Sequence, residues 1–254
     1  MKIKIKYNII KYYKYWRMIL ITGASDNHFK TLNQFITEFL KFHKNDASIT
    51  LVVYNLGLSN DNWSNLQNNF EGCNIIYKIF DYSLYPEYVN IHVNFGEYAW
   101  KPIIIYDISI EYKNEIIVWM DSGNLILDKL DDFSNYIKEN YIYSCISDGC
   151  VSKWTHPLTI QYMNSVDDTL LNNQSKNAAC LGFDTSCEWV NTFISEFKNL
   201  ALTKECIAPE GSSRANHRQD QSIFSIMFYQ YQKIYKFPDG PLDPIGYTTH
   251  KDID

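Results

Sequence analysis

The chain has 254 residues, of which 46 % are hydrophobic and 16 % aromatic, and its formal net charge is −6. That length and apolar content support a sizeable α/β core and exclude a disordered chain. The negative balance excludes nucleic acid as the main partner, because no domain-wide basic field exists to displace phosphate counterions.

The six cysteines (Cys73, Cys145, Cys150, Cys180, Cys187 and Cys206) show no C-x-x-C spacing, so neither a zinc ribbon nor a redox pair is indicated. Reduced, mostly buried thiols in a reducing compartment are expected. At the N-terminus, Lys2, Lys4, Lys6, Lys11, Lys14 and Arg17 interrupt every apolar run, so no signal-peptide core forms. No stretch approaches the roughly 18–20 apolar residues of a spanning helix. A soluble cytoplasmic protein is expected, with residues 1–17 as a basic segment that reads as a solvated edge strand or frayed end, the alternative being weak contact with an anionic membrane surface. Heavy use of Asn, Ile, Lys and Tyr matches the drift of an AT-rich coding genome and carries no chemistry.

Arg17 to Gly23 is a short apolar run closing in a small-residue loop, which predicts a buried parallel strand. Asp26 is placed to cap the helix that follows. That helix carries Phe29, Leu32, Phe35, Ile36, Phe39 and Leu40 at helical spacing. Strands are predicted at 49–54 and 74–80, with a short helix over 61–70 between them. Pro102 opens a helix over 100–112, where a missing N–H costs little. Glu115 to Asp121 reads as the fourth strand. This strand–helix alternation is the rhythm of a parallel α/β sheet, whose ligands bind beyond the carboxyl ends of the strands. Further on, the pattern predicts strands at 141–146 and 178–183, a helix over 189–200 and a last helix after Asp220. Residues 18–254 are expected to form one unit, with a nucleotide-binding half over 18–127 and an acceptor-binding half over 128–254.

Three places could carry chemistry. Asp121, at the rim of a buried strand and followed by Ser122 and Gly123, serves either as a strand-ending cap or as a ligand for a cation or a ribose hydroxyl. Lys101, at a helix start, is either a surface lysine or a point charge for a phosphate. Arg214, His217, Arg218, Asp220 and Gln221 cluster before an apolar helix, where two guanidinium groups could neutralise a diphosphate. His156, His217 and His250 are candidate ligands or acid/base groups, each taken singly being better explained as a structural histidine. Thr22-Gly23-Ala24-Ser25 lacks the G-x-G-x-x-G spacing of dinucleotide-binding loops, and neither a G-x-x-x-x-G-K-[ST] loop nor a G-x-S-x-G elbow occurs.

Four segments, in order, resemble glycosyltransferases of the GT-A type. They are Val53-Tyr54-Asn55-Leu56-Gly57-Leu58-Ser59, Tyr98-Ala99-Trp100-Lys101-Pro102, Val118-Trp119-Met120-Asp121-Ser122-Gly123 and Arg218-Gln219-Asp220-Gln221. They look most like a small group with a W-x-D-S/A-G strand end, distantly similar to glycogenin-like and galactosyltransferase-like enzymes. The resemblance implies a Rossmann-like, mostly parallel sheet flanked by helices. It implies transfer of a hexosyl or other sugar from a nucleoside diphosphate donor, a UDP-sugar, to a hydroxyl of a glycan, protein or small-molecule acceptor. It would lay the nucleotide over Thr22, Gly23, Ala24 and Ser25, with the base near Tyr54 or Asn55. Asp121, Ser122 and Gly123 would stand at the D-x-D position, Lys101 would meet the diphosphate or donor sugar, and Asp220 with Gln221 would face the anomeric carbon. Gly182 and Phe183 would shape the sugar pocket. Mn²⁺ or Mg²⁺ would be held by Asp121 and His250, while Lys101, Arg214 and Arg218 offer a metal-free way to stabilise the leaving group. Gly123 stands where the family carries a second carboxylate and Asn55 where it carries Asp. These departures keep open a nucleotide-sugar-binding protein that has lost catalysis. Loops at 154–176 and 209–216 would shape the acceptor site and close over the donor.

Overall fold

The computed structural model describes residues 16–249. The predicted basic segment falls outside them except for Trp16 and Arg17, and so does His250. The elements run β1 (Met18–Ala24), α1 (Phe29–His43), β2 (Ile49–Asn55), α2 (Asn60–Asn69), β3 (Ile75–Ile79), α3 (Trp100–Glu111), β4 (Ile116–Met120), β5 (Leu125–Ile126), α4 (Asp131–Asn140), β6 (Ile142–Tyr143), β7 (Ile146–Cys150), α5 (Pro157–Tyr162), α6 (Asp168–Leu171), β8 (Gln174–Lys176), β9 (Cys180–Asp184), α7 (Glu188–Ala201), α8 (Lys204–Ile207), α9 (Gln219–Tyr235) and β10 (Tyr247–Thr248). The main sheet has the order β3-β2-β1-β4-β9-β6. Strands β3, β2, β1 and β4 are parallel, and β9 runs antiparallel between β4 and β6. Two small antiparallel pairs, β5 with β10 and β7 with β8, lie outside it. This mixed, mostly parallel sheet flanked by helices is the GT-A architecture.

The core follows from the period-2 alternation of strand side chains. Ile19, Ile21, Ile117, Trp119, Leu181 and Phe183 point to one face and pack under α3, α7 and α9. Met18, Leu20, Ile116, Val118, Met120 and Cys180 point to the other and pack under α1 and α4. Both faces are covered, which is why these strands read as continuous apolar runs rather than as alternating ones. Of the cysteines, Cys145, Cys180 and Cys206 are buried and all six are unpaired. Among the described residues, no helix is long and apolar enough to cross a membrane.

Three expectations change. Asp26 does not cap α1: its Oδ1 accepts from Ser59 N at 2.8 Å and Asn62 Nδ2 at 2.9 Å, tying the β1 loop to the start of α2. The single strand predicted over 141–146 divides into β6, which joins the main sheet, and β7, which leaves it to pair with β8. Gly182 and Phe183, expected to shape a sugar pocket, are buried within β9. Phe183 is fully buried among Phe193 and Phe224. Gly182 lies where a β-carbon would meet Ile137 Cδ1 at 2.5 Å and Tyr143 Cβ at 3.0 Å. Strand β9 needs this glycine for packing against α4 and β6. We expect Gly182→Ala to destabilise the protein by about 1–3 kcal/mol through overpacking, read by urea denaturation.

Candidate functional site

The carboxyl ends of β1 and β4 and the start of β9 open into a cleft of about 520 Å³. That size suits a nucleotide-sized ligand. Gly23, Ala24 and Ser25 form its floor on one side, and Asp121, Ser122 and Gly123 follow from the end of β4. Gly23 is required there, since a β-carbon would lie 2.9 Å from the Tyr54 carbonyl oxygen. Helix α3 presents Lys101 from its first turn, and α9 presents Asp220 and Gln221 from its own.

Lys101 is the centre of the cleft's charge. It is 3 % exposed. Its Nζ donates to the Ala178 carbonyl at 3.0 Å and lies 2.9 Å from Asp220 Oδ2 and 3.2 Å from Asp121 Oδ1. The contact with Asp220 is an ion pair without good hydrogen-bond alignment, so that oxygen has no hydrogen-bond donor of its own. The rings of Tyr98, Trp100 and Trp119 surround the ammonium at 5.8 to 5.9 Å from their centroids. Burial by itself would push the Lys101 ammonium toward neutrality. The charges of Asp121 and Asp220 outweigh it and hold the pKa above the ordinary lysine value. Burial raises the Asp220 carboxyl against the opposing pull of Lys101. Asp121 Oδ1 also accepts from Trp119 Nε1 at 2.5 Å, so a core side chain fixes its direction.

The entrance to α3 is a left-handed turn, Asn94–Tyr98, 5 residues long. Every residue has positive φ: 47° at Asn94, 58° at Phe95, 64° at Gly96, 48° at Glu97 and 55° at Tyr98. For a residue with a β-carbon this conformation costs about 1–2 kcal/mol. Trp100 Nε1 donates to Phe95 O, Asn94 Nδ2 to Glu97 Oε1, and Gln219 Nε2 to Glu97 Oε2. Gln219, itself at φ 41°, thus joins the turn to α9. The turn displays Phe95, 54 % exposed, and Tyr98 on the cleft wall.

Opposite stands the loop before α9. Arg214 Nη1 donates to Tyr98 Oη, and its guanidinium lies 5.2 Å from the Tyr98 centroid. The Arg218 guanidinium lies 4.3 Å from the Trp154 centroid. The loop is bolted down by His217, whose Nε2 faces Ile207 O at 2.9 Å and whose Nδ1 accepts from His156 N at 3.2 Å. Burial lowers the His217 pKa to about 4, so the ring is neutral and structural. His156 is structural too: its Nδ1 accepts from Leu158 N and caps α5.

The fold therefore gathers Gly23, Ala24, Ser25, Lys101, Asp121, Ser122, Gly123, Arg214, Arg218, Asp220 and Gln221 into one cleft. It leaves out Thr22, Tyr54 and Asn55. Thr22 and Tyr54 are buried within the sheet layer. Asn55 Oδ1 accepts from Gly57 N at 2.8 Å and Leu58 N at 2.7 Å, holding the turn after β2. An amide does this as well as a carboxylate, so Asn in place of Asp there says nothing about lost catalysis. Sequence reasoning missed Phe95, Ser147 and Asp148, which also line the cleft. Asn94 and Gly96, residue types that tolerate left-handed backbone, were the available signal for the turn bearing Phe95.

Among the described residues a divalent cation is offered little. Asp121 is already paired with an ammonium, Gly123 has no side chain, and Asn124 Nδ2 donates to Ala179 O. Among the described residues no three His, Cys, Asp or Glu side chains gather as a metal site. His250, the other expected metal ligand beside Asp121, lies outside the described residues.

A family profile described as a protein of unknown function (DUF1647) matches residues 7–106. No curated protein matches the sequence. Solved structures similar to the chain include the galactosyltransferase LgtC with donor and acceptor sugar analogues, at TM-score 0.57 and 17 % identity over 92 % of this chain and 87 % of that one. Mouse xyloside xylosyltransferase 1 aligns at TM-score 0.55 and 9 % identity, over 90 % and 85 % of the two chains. Core-mannan synthase A from Aspergillus fumigatus, in a Mn/GDP form, aligns at TM-score 0.55 and 10 % identity, over 84 % and 69 %. At these identities the likeness establishes the fold.

Two outcomes test the site's framework. In Gly96→Ala a β-carbon would sit 2.3 Å from Val89 O and 2.8 Å from Trp100 Cδ1. We expect a stability loss of at least about 2 kcal/mol by thermal unfolding. His217 favours folding in its neutral form, so its contribution is complete above the unfolded value of 6.5 and is lost as pH falls through about 4. Between pH 7 and pH 4, wild type should lose up to about 3 kcal/mol more unfolding free energy than His217→Gln.

Proposed function

We propose that the protein is a glycosyltransferase that moves a sugar from a nucleoside diphosphate donor, a UDP-sugar, to an acceptor hydroxyl. The observation that carries this reading is the position of Lys101 between Asp121 and Asp220 in a cleft whose floor is the small-residue end of β1. Such a cleft, beyond the carboxyl ends of parallel strands, is where an α/β sheet binds nucleotides. The solved structures of similar fold are named as glycosyltransferases, which supports the same class.

In this reading the nucleotide lies along Gly23 to Ser25, where the absence of large side chains lets the backbone approach it. Asp121 orients the ribose, and Ser122 and Gly123 leave room for the diphosphate. Lys101 contacts the donor sugar while holding Asp220 in a fixed direction. Asp220 faces the anomeric carbon and stabilises the positive charge that develops as the glycosidic bond to the diphosphate breaks. Gln221 donates to Ser175 Oγ at 3.2 Å, which fixes the start of α9 against the β7–β8 pair. Trp154, Ser147 and Asp148, on the same pair and the turn after it, face the acceptor. Residues 18–127 would then serve the nucleotide and 128–254 the acceptor.

The alternative of a binding protein without catalysis separates cleanly. Wild type should release UDP from a UDP-sugar panel. Asp220→Asn should lower kcat by about 100-fold or more, at an unchanged shift of melting temperature with donor. A wild-type protein that is stabilised by UDP-sugars yet releases no UDP to water or to any acceptor would leave only the binding role standing.

A further inference from the structure

We propose that the charge of the departing diphosphate is met by Arg214 and Arg218 rather than by a divalent cation. This rests on the glycosyltransferase reading and concerns how that same cleft handles charge. Lys101 carries one positive charge and serves two carboxylates, Asp121 at 3.2 Å and Asp220 at 2.9 Å. The triad is therefore negative overall and cannot itself balance a diphosphate. The counter-charge must come from another part of the cleft.

Among the described residues a divalent ion is poorly provided for. The position that would supply a second carboxylate is Gly123, and Asp121 has its Oδ1 committed to Trp119 Nε1 and facing the Lys101 ammonium. A cation on Asp121 would share its only carboxylate with an ammonium already in place. Mg²⁺ and Mn²⁺ need hard oxygen donors, and a neighbouring ammonium repels them.

The arginines fit the task. Both line the cleft, and neither has a carboxylate within 4.0 Å among the described residues. Each lies near an aromatic ring, Arg214 near Tyr98 and Arg218 near Trp154, which restrains the guanidinium without neutralising it. A guanidinium oriented by a ring and left without a counter-ion keeps donors for phosphate oxygens, Arg214 having given one of its five to Tyr98 Oη. The loop is anchored by the neutral, buried His217 beside Arg218, and Tyr98 is anchored by the left-handed turn, so both cations are placed before any ligand arrives.

The test is calorimetric titration of the full chain with UDP and with GDP, in EDTA and then in MnCl2 or MgCl2. We expect the nucleotide that binds to do so in EDTA with a Kd within about 3-fold of its value with metal. Arg214→Gln with Arg218→Gln should weaken that binding by 30-fold or more, and the paired Lys variants should recover part of the loss. Binding that appears only with Mn²⁺ or Mg²⁺, or that is unchanged in the double Gln variant, overturns the inference while leaving the glycosyltransferase reading intact. Absence of nucleotide binding in every condition overturns both. Melting curves of the variants, which change only loop side chains, check that they remain folded.

Discussion

The cleft depends on a single buried ammonium. Lys101 is placed in a nearly water-free position, and its charge is tolerated there only because two carboxylates, a backbone carbonyl and three aromatic rings surround it. The dependence is mutual. Asp220 is buried as well, and leaving such a carboxylate unpaired costs about 3–5 kcal/mol. The ion pair therefore fixes the first turn of α3, the end of β4 and the first turn of α9 relative to one another. These three segments come from distant parts of the chain, and their meeting point is the functional cleft.

Around that centre the structure holds its polar groups in directions that packing alone would not choose. The left-handed turn Asn94–Tyr98 is costly for residues with β-carbons and persists because Trp100, Val89 and Gln219 hold it. Its return is the placement of Tyr98 against both Lys101 and Arg214. The loop carrying Arg214 and Arg218 is fixed from the other side by His217, a histidine kept neutral by burial. Strain on one wall and a buried imidazole on the other set the positions of the cleft's cations in advance, which is the economy of preorganised electrostatics.

Much of this could be read in the chain itself. The apolar runs at 17–23, 49–54 and 115–121 each became a buried parallel strand, because a strand covered on both faces has no polar positions to interrupt it. The helical stripe from Phe29 to Leu40 buried Leu32, Phe35, Ile36 and Phe39 as its spacing requires. Asp121, Lys101 and Asp220 could be singled out because a charged residue at the end of an apolar element must face either solvent or a ligand. Asn55, Tyr54 and Gly182 lie away from the cleft lining for the complementary reason. They sit in segments with the right motif, but their side-chain direction depends on which strand or helix packs beside them.

What the sequence by itself determined was the succession of elements and the chemical type of the residues at their ends, since periodicity, capping and small-residue loops act over a few residues. What only the tertiary structure decided was which of those ends converge. The reversal of β9, the departure of β7 from the main sheet, the left-handed turn before α3 and the sharing of one ammonium by Asp121 and Asp220 all rest on contacts between residues far apart in the chain. Such contacts are selected by burial and charge balance across the whole fold, and a local pattern carries no record of them.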